Sequence, residues 1–253
     1  MATDALTDTR QHVPAPGVAT PAAGCPPLEN GDRLTRSEFE RRYAAMPSTT
    51  KAELIEGRVY MPSPVRVRNH GKPHGQIMSW VGVYCAATPG VDFADNATLR
   101  LDADNEPQPD AMLWIDAGAG GRAQVSDDDY LEGAPELIVE IAASSASYDL
   151  HDKLHVYRRN GVQEYIVWRV YERHMHWFRI ENECYVAMQP DAAGIMHSQA
   201  FPGLRLAVTA LIHGNLAGVL AELQQGLDSV EHQAFVDRLA AALARRTTQE
   251  AQH

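Results

Sequence analysis

Cysteine is scarce in this 253-residue chain. Cys25, Cys85 and Cys184 are odd in number and far apart, and no two stand at CxxC spacing. That excludes a cysteine zinc ribbon or a dithiol redox pair and reads as reduced thiols in a reducing compartment. Positive charge is short as well: 22 Lys and Arg stand against 33 Asp and Glu, a formal net charge of −11 with histidines neutral. Binding of polyanions by bulk charge is thereby excluded, and a nucleic-acid role needs a local basic patch on an acidic body. No apolar run reaches the roughly 18 residues of a membrane-spanning helix, the first residues lack the basic-then-apolar layout of a secretory signal, and no segment repeats. What remains is an ordinary globular composition, 45% hydrophobic and 22% charged. It suits one large domain with appendages, expected in the cytoplasm.

Three segments follow from the patterning. Residues 1–31, with "HVPAPGVATPAAGCPPLENG", hold hardly any large apolar side chain and are expected to form a flexible tail. Residues 32–208 mix helical and strand periodicities. Thr35 with Glu38 reads as a capping box opening a helix that ends near Pro47. "AELIEGRVYMP" reads as a hairpin turning at Gly57, and "PHGQIMSWVGVYCAATPG" as a helix with Ile77, Val81 and Tyr84 on one face. Strands are expected at "ATLRLD", "PDAMLWI" and "PELIVEIAAS", then a helix over "SASYDLHDKLHVYRRNGV", then a meander through "EYIVWRVY", "HMHWFRI" and "ECYVAM", with "GLRLAV" as the last strand. Residues 209–253 are Ala- and Leu-rich, and their amphipathic stripe suits packing onto the same domain or a homodimer contact. The order implies an α/β fold with a central mixed sheet flanked by helices and a helical C-terminal extension.

Three charged residues sit where a purely structural chain seldom puts them. In "LIVEI", Leu137, Val139 and Ile141 fall on one strand face and Ile138, Glu140 and Ala142 on the other, so both faces read as covered. A carboxylate there costs several kcal/mol unless it is paired, protonated or metal-bound. Asp110 follows Pro109 at the entrance of "MLWI", a position that turn chemistry alone also explains. Lys153 lies three residues after Leu150 and four before Tyr157, on the inward stripe of its helix unless it snorkels outward. Two carboxylates on neighbouring strands suit one Mg²⁺ or Mn²⁺ completed by waters and a substrate phosphate. A nearby lysine suits the attacking water and the charge developing on phosphorus.

"PDAMLWI", "PELIVEIAASS" and "DLHDKLHVYRRNGVQEYIVW", in that order and spacing, resemble the PD-(D/E)XK nuclease superfamily, and within it a bacterial branch of restriction-endonuclease-like proteins, the Uma-two family. "AELIEGRVYMPSP" and "HGQIMSWV" are similar to that branch's opening strand and following helix, and the resemblance runs from about Leu34 to Val208. It implies a restriction-endonuclease-like core that hydrolyses DNA phosphodiesters with Mg²⁺ or Mn²⁺. Asp110 and Glu140 would be the motif acids and metal ligands, and Glu53 an upstream acid beside the metal. Where the parent pattern has lysine this chain has Ala142, and Lys153 would supply the amine from the next helix, as in that branch. Ser144 or Ser145 would stand for the serine common there.

In "VRVRNHGKPH", Arg66, Arg68 and Lys72 stand without an acid, which makes either a phosphate-contacting patch or a solvated loop. His74 would touch phosphate or relay a proton, or else simply face solvent at a helix start. His151 and His155 lie four apart on a helix, as a zinc pair would. His70 and His74 share that spacing, but Gly71 and Pro73 argue against a helix between them. His174 and His176 alternate on a strand and are expected to face solvent. Three readings stay open: an endonuclease with weak, metal-dependent DNA binding, an inactive endonuclease-fold binding or assembly module, and a histidine-based zinc hydrolase.

Overall fold

The structure, a computed structural model, describes residues 25–62, 65–143 and 145–250. Most of the expected tail, residues 1–24, lies outside the described residues. The rest of it is not a tail: Leu28 is buried against Phe39, Ala52, Leu54 and Val59, because one large apolar side chain next to a receptive cluster is enough to dock a short segment.

Helix α1 (Arg36–Ala44) is capped by the Thr35 hydroxyl, which accepts from the Glu38 amide. Strands β1 (Glu53–Ile55) and β2 (Arg58–Tyr60) form a hairpin. Its two-residue turn has positive φ at both Glu56 (51°) and Gly57 (68°), the handedness that matches strand twist. A π-helical turn, Val67–Gly71, runs straight into helix α2 (Lys72–Ala86). Then come β3 (Val91–Ala94), β4 (Leu99–Arg100), β5 (Ala111–Ile115), β6 (Gln124–Val125), β7 (Leu131–Glu132) and β8 (Leu137–Ala142). Helices α3 (Ala146–Leu150) and α4 (Asp152–Arg159) lead to β9 (Glu164–Arg169), β10 (His174–Glu181) and β11 (Cys184–Ala187). After β12 (Ile195–His197) and β13 (Arg205–Ala207), the chain ends in α5 (Val208–Ile212), α6 (Leu216–Leu227) and α7 (Val230–Glu250).

The main sheet has the order β11-β10-β9-β8-β5-β3. Only β8 and β9 run parallel, and the connection between them is the α3–α4 crossover that a parallel pair requires. The expected alternation along β8 holds. Leu137, Val139 and Ile141 join the core under α2 and the C-terminal helices, while Ile138 and Ala142 join a second core under α4 and the β1–β2 hairpin. On α2, Ile77, Trp80, Val81 and Tyr84 are fully buried, each worth about 1.5–3 kcal/mol. Helix α7 packs back onto the same core through Phe235 and Leu239. The three cysteines are free, and among the described residues no helix is long and apolar enough to cross a membrane.

Three expectations need correction. The helix expected across "SASYDLHDKLHVYRRNGV" breaks at His151, whose φ of −122° and ψ of −79° leave the helical region. The break re-aims α4, so its buried residues are Lys153, Val156 and Tyr157, and Leu150 and Leu154 are only half-buried. "ATLRLD" contributes only two paired residues, to a small separate sheet with β6 and β7. Finally, β12 pairs with β13, a strand that the polar "GIMHS" does not announce.

Candidate active site

The site grows out of the register between β5 and β8. Ala111 pairs with Val139, Met112 with Ile138 and Leu113 with Leu137, so one further step sets Asp110 opposite Glu140. Directly opposed residues point to the same face with Cβ atoms about 5 Å apart. The Ile141 amide donates to Asp110 Oδ2 at 2.6 Å, tying the end of β5 to β8. Two more elements reach this face. Lys153 Nζ of α4 donates to Glu140 Oε1 at 2.9 Å and to Glu53 Oε1 of the hairpin at 2.8 Å. The Tyr157 hydroxyl, one turn on, donates to Glu140 Oε1 at 2.8 Å. Glu53 Oε1 also accepts from the Gln108 amide at 2.7 Å. Glu140 and Lys153 are each 4% exposed, so Lys153 does not snorkel. The two acids and the lysine singled out in separate segments meet in one buried ion-paired group, with Asp110 beside them.

Carboxylates outnumber cations here, and the protonation equilibria show the strain. Burial, aided by the charges of Asp149, Asp110 and Glu53, pushes Glu140 well above the usual carboxylate range against the pull of Lys153. Burial also pushes Asp149 up to about 6 despite Lys153 and the Ser145 hydroxyl, which donates to it. Burial works against the Lys153 ammonium, but Glu140, Glu53 and Asp149 outweigh it and raise its pKa well above the ordinary value. Asp110 goes the other way. Although burial opposes it, the His70 imidazole, with Nε2 at 3.0 Å from Oδ1, holds its carboxyl below the usual range.

His70 is a site residue that the sequence hid. Gly71 and Pro73 look like breaks, yet the π-helical turn carries the chain through them: the Gly71 amide bonds the Arg66 carbonyl, and Pro73 sits in the first turn of α2 where its missing N–H is not needed. The His70 and His74 rings lie 5.7 Å apart. His74 Nε2 lies 2.8 Å from the Asp110 carbonyl oxygen and 3.1 Å from Asp95 Oδ1, so this imidazole is engaged inside the protein rather than free at a helix start. Arg66, Arg68 and Lys72 are exposed on the same turn, which places a basic rim beside Asp110. Tyr157 and Asp149 were also missed. Tyr157 reads as core filling, and Asp149 as a helix-start acid.

Whether these residues suit a divalent cation is decided by their donors. The set is all hard oxygen, which matches Mg²⁺ or Mn²⁺ rather than zinc. Lys153 and Tyr157 both bond Oε1 of Glu140, so Oε2 takes no part in that pair of bonds. Two carboxylates with water and phosphate completing the shell is the usual Mg²⁺ arrangement. Among the described residues no three His, Cys, Asp or Glu side chains converge as a ready-made metal cage, and His155 and the helix-breaking His151 have no third partner. Ser144 lies outside the described residues. Ser145 bonds Asp149.

A family model described as "putative restriction endonuclease" matches residues 36–209. The chain belongs to this Uma2 family. The match spans both Asp110 and Glu140 and ends where the C-terminal helices begin. Four solved chains match in structure. One of them is the crystal structure of "a putative nuclease belonging to DUF820" from Anabaena variabilis, with a TM-score of 0.54, 16% identity, 69% of this chain and 97% of that chain covered. At that identity the likeness shows the fold. No match was found among curated proteins. Membership of Uma2 and a nuclease-like fold agree with the resemblance read from the motifs.

Proposed function

We propose that this Uma2 protein hydrolyses DNA phosphodiester bonds as a metal-dependent endonuclease. The observation that carries the reading is the register that sets Asp110 opposite Glu140, with Lys153 held between Glu140 and Glu53. Asp110 and Glu140 would hold a Mg²⁺ or Mn²⁺ ion, with Glu53 as the accessory acid. The ion would neutralise charge on the scissile phosphate and acidify a bound water. The chain's own groups do the rest. Glu53 and Glu140 fix the Lys153 ammonium, which is charged at any working pH and is placed to orient the attacking water and to stabilise the negative charge that develops on the phosphoryl oxygens. Tyr157 holds the Glu140 carboxylate in one orientation. His70 favours the ionised form of Asp110 that a ligand needs, whereas burial pushes Glu140 toward its protonated form, so ion binding there would release a proton. Arg66, Arg68 and Lys72 supply the phosphate contacts that the acidic body cannot, so DNA binding is weak, metal-dependent and steeply salt-sensitive.

Incubation of the purified protein with supercoiled or short duplex DNA in Mg²⁺ or Mn²⁺ tests this, with Glu140→Ala as the control. Cleavage by the wild type alone is expected, and equal products from both proteins would sink the reading. One observation favours a second reading, a catalytically inactive binding or assembly module: Lys153 is already paired with two carboxylates, and Ala142 stands where the superfamily pattern has its lysine. Calorimetric titration with Mn²⁺ separates the two, since the module binds none through Glu140.

A further inference from the structure

The face that carries Glu140 does not end at β8. Register pairs Glu140 with Val167 and Ala142 with Arg169 on β9; it then pairs Val167 with His176 and Arg169 with His174 on β10. Paired residues share a face, so Arg169, His174 and His176 line the site's own side of the sheet, His176 two strand spacings, or about 10 Å, from Glu140. Their side chains crowd together with little to neutralise them. The His174 and His176 rings are 4.5 Å apart. Arg169 Nη2 pairs with Glu172 at 2.6 Å, but Arg169 Nε and His176 Nε2 are both shielded from solvent and have no hydrogen-bond partner among the described residues. Burial, and then the neighbouring His174 and Arg169, disfavour the charged form of His176, so an anion is what the group lacks. The cluster also joins the basic rim of the site. Asn69, beside Arg68, donates to the hydroxyl of Tyr171 in the β9–β10 turn at 3.0 Å.

We propose that Arg169, His174 and His176 form a second phosphate-binding subsite, which holds the backbone of a DNA strand a few nucleotides from the bond placed at Glu140. It rests on the nuclease reading, and it extends the phosphate track from Arg66 and Arg68 across the Asn69–Tyr171 bridge to the outer strands. The span of about 10 Å corresponds to about three base-pair rises of 3.4 Å when it is measured along the duplex axis. The imidazole and guanidinium donors take the non-bridging oxygens, a sequence-independent contact.

Equilibrium binding of a phosphorothioate-protected short duplex in Mg²⁺ tests it for the wild type and for Arg169→Gln, Arg169→Lys and His174→Gln. Arg169 and His174 are accessible, so these changes leave the core intact. Arg169→Gln and His174→Gln are expected to weaken binding, Arg169→Gln to lower the salt slope by about 1, and Arg169→Lys to recover most of it. In parallel, inorganic phosphate is titrated while the imidazole NMR signals are followed, and those of His174 and His176 are expected to move more than that of the exposed His213. If the wild type binds duplex and the variants match it in affinity and salt slope, the subsite is overturned and the nuclease reading stands. If the wild type binds no duplex while phosphate still moves the two signals, the DNA-strand assignment falls together with the nuclease reading, and the site takes free phosphate. If neither binds, the subsite is overturned outright.

Discussion

Glu164 and Glu140 lie on adjacent parallel strands of one sheet, 1% and 4% exposed, and on opposite faces of it. Glu164 is fully provided for. Its Oε1 accepts from the Gln199 and Ala200 amides at 2.6 and 3.0 Å, and its Oε2 from the Ser198 hydroxyl and the Trp177 indole at 2.8 and 3.0 Å. Those donors are neutral and come from the loop after β12 and from β10, so this carboxylate staples the loop to the sheet. Glu140 has two donors, both on one oxygen, and one is a lysine it shares with Glu53. Its other neighbours, Asp110 and Asp149, are negative. A carboxylate surrounded by its own donors is finished as structure. One surrounded by other carboxylates is left short of positive charge, which is what the proposed function would use. The difference separates a buried acid that stabilises the fold from one that the proposed reaction needs.

That contrast predicts opposite phenotypes. Glu140→Gln is expected to abolish cleavage, a loss of at least about 10³-fold when a group central to transition-state charge is removed, while the unfolding free energy changes by only about 1 kcal/mol, since the amide oxygen still accepts from Lys153 and Tyr157 and Glu53 still pairs with the ammonium. A cleavage assay run beside urea melts checks it; unchanged cleavage would erase the distinction. Glu164→Ala should do the reverse in magnitude. Four donors, those of Trp177 and Ser198 buried, lose their acceptor, and a loss of about 3–5 kcal/mol is expected in the same melts.

A third buried acid sharpens the comparison by pH. Burial, with Glu40 beside it, pushes Glu106 up to about 8. The folded protein therefore holds this proton where the unfolded chain, near 4.5, releases it. The part of the stability that comes from Glu106 is full below about pH 4.5 and is lost as pH rises through about 8. Melts of Glu106→Gln from pH 4 to 9 should show a shallower decline than wild type; parallel curves would refute the assignment. The smallest effect is expected at Tyr157→Phe, which removes one of Glu140's two donors and should cost about 1 kcal/mol.

Much of this was legible in the chain because charge in an apolar strand is hard to disguise. Glu140 inside "LIVEI" and Lys153 on a helix stripe each announced themselves, and Asp110 followed from motif order. The alternation of β8 survived intact because both faces of a central strand are covered. What was hidden depends on partners distant in sequence. Glu164 begins an ordinary-looking strand, and nothing nearby reveals four donors from positions 177 to 200. His70 was masked by Gly71 and Pro73, whose usual meaning a π-helical turn overrides. The break at His151 has no local breaker residue, and it is the tertiary demand for Lys153 to face Glu140 that makes sense of it.

The Lys153 ammonium is a counter-ion fastened to the chain. Glu53, Glu140 and the lysine arrive together as the hairpin, β8 and α4 assemble, so the acids find a positive partner without waiting on the supply of an ion from solution. Chelation should then silence the protein while leaving its melting temperature almost where it was. A site built this way can stand folded whether or not an ion is bound.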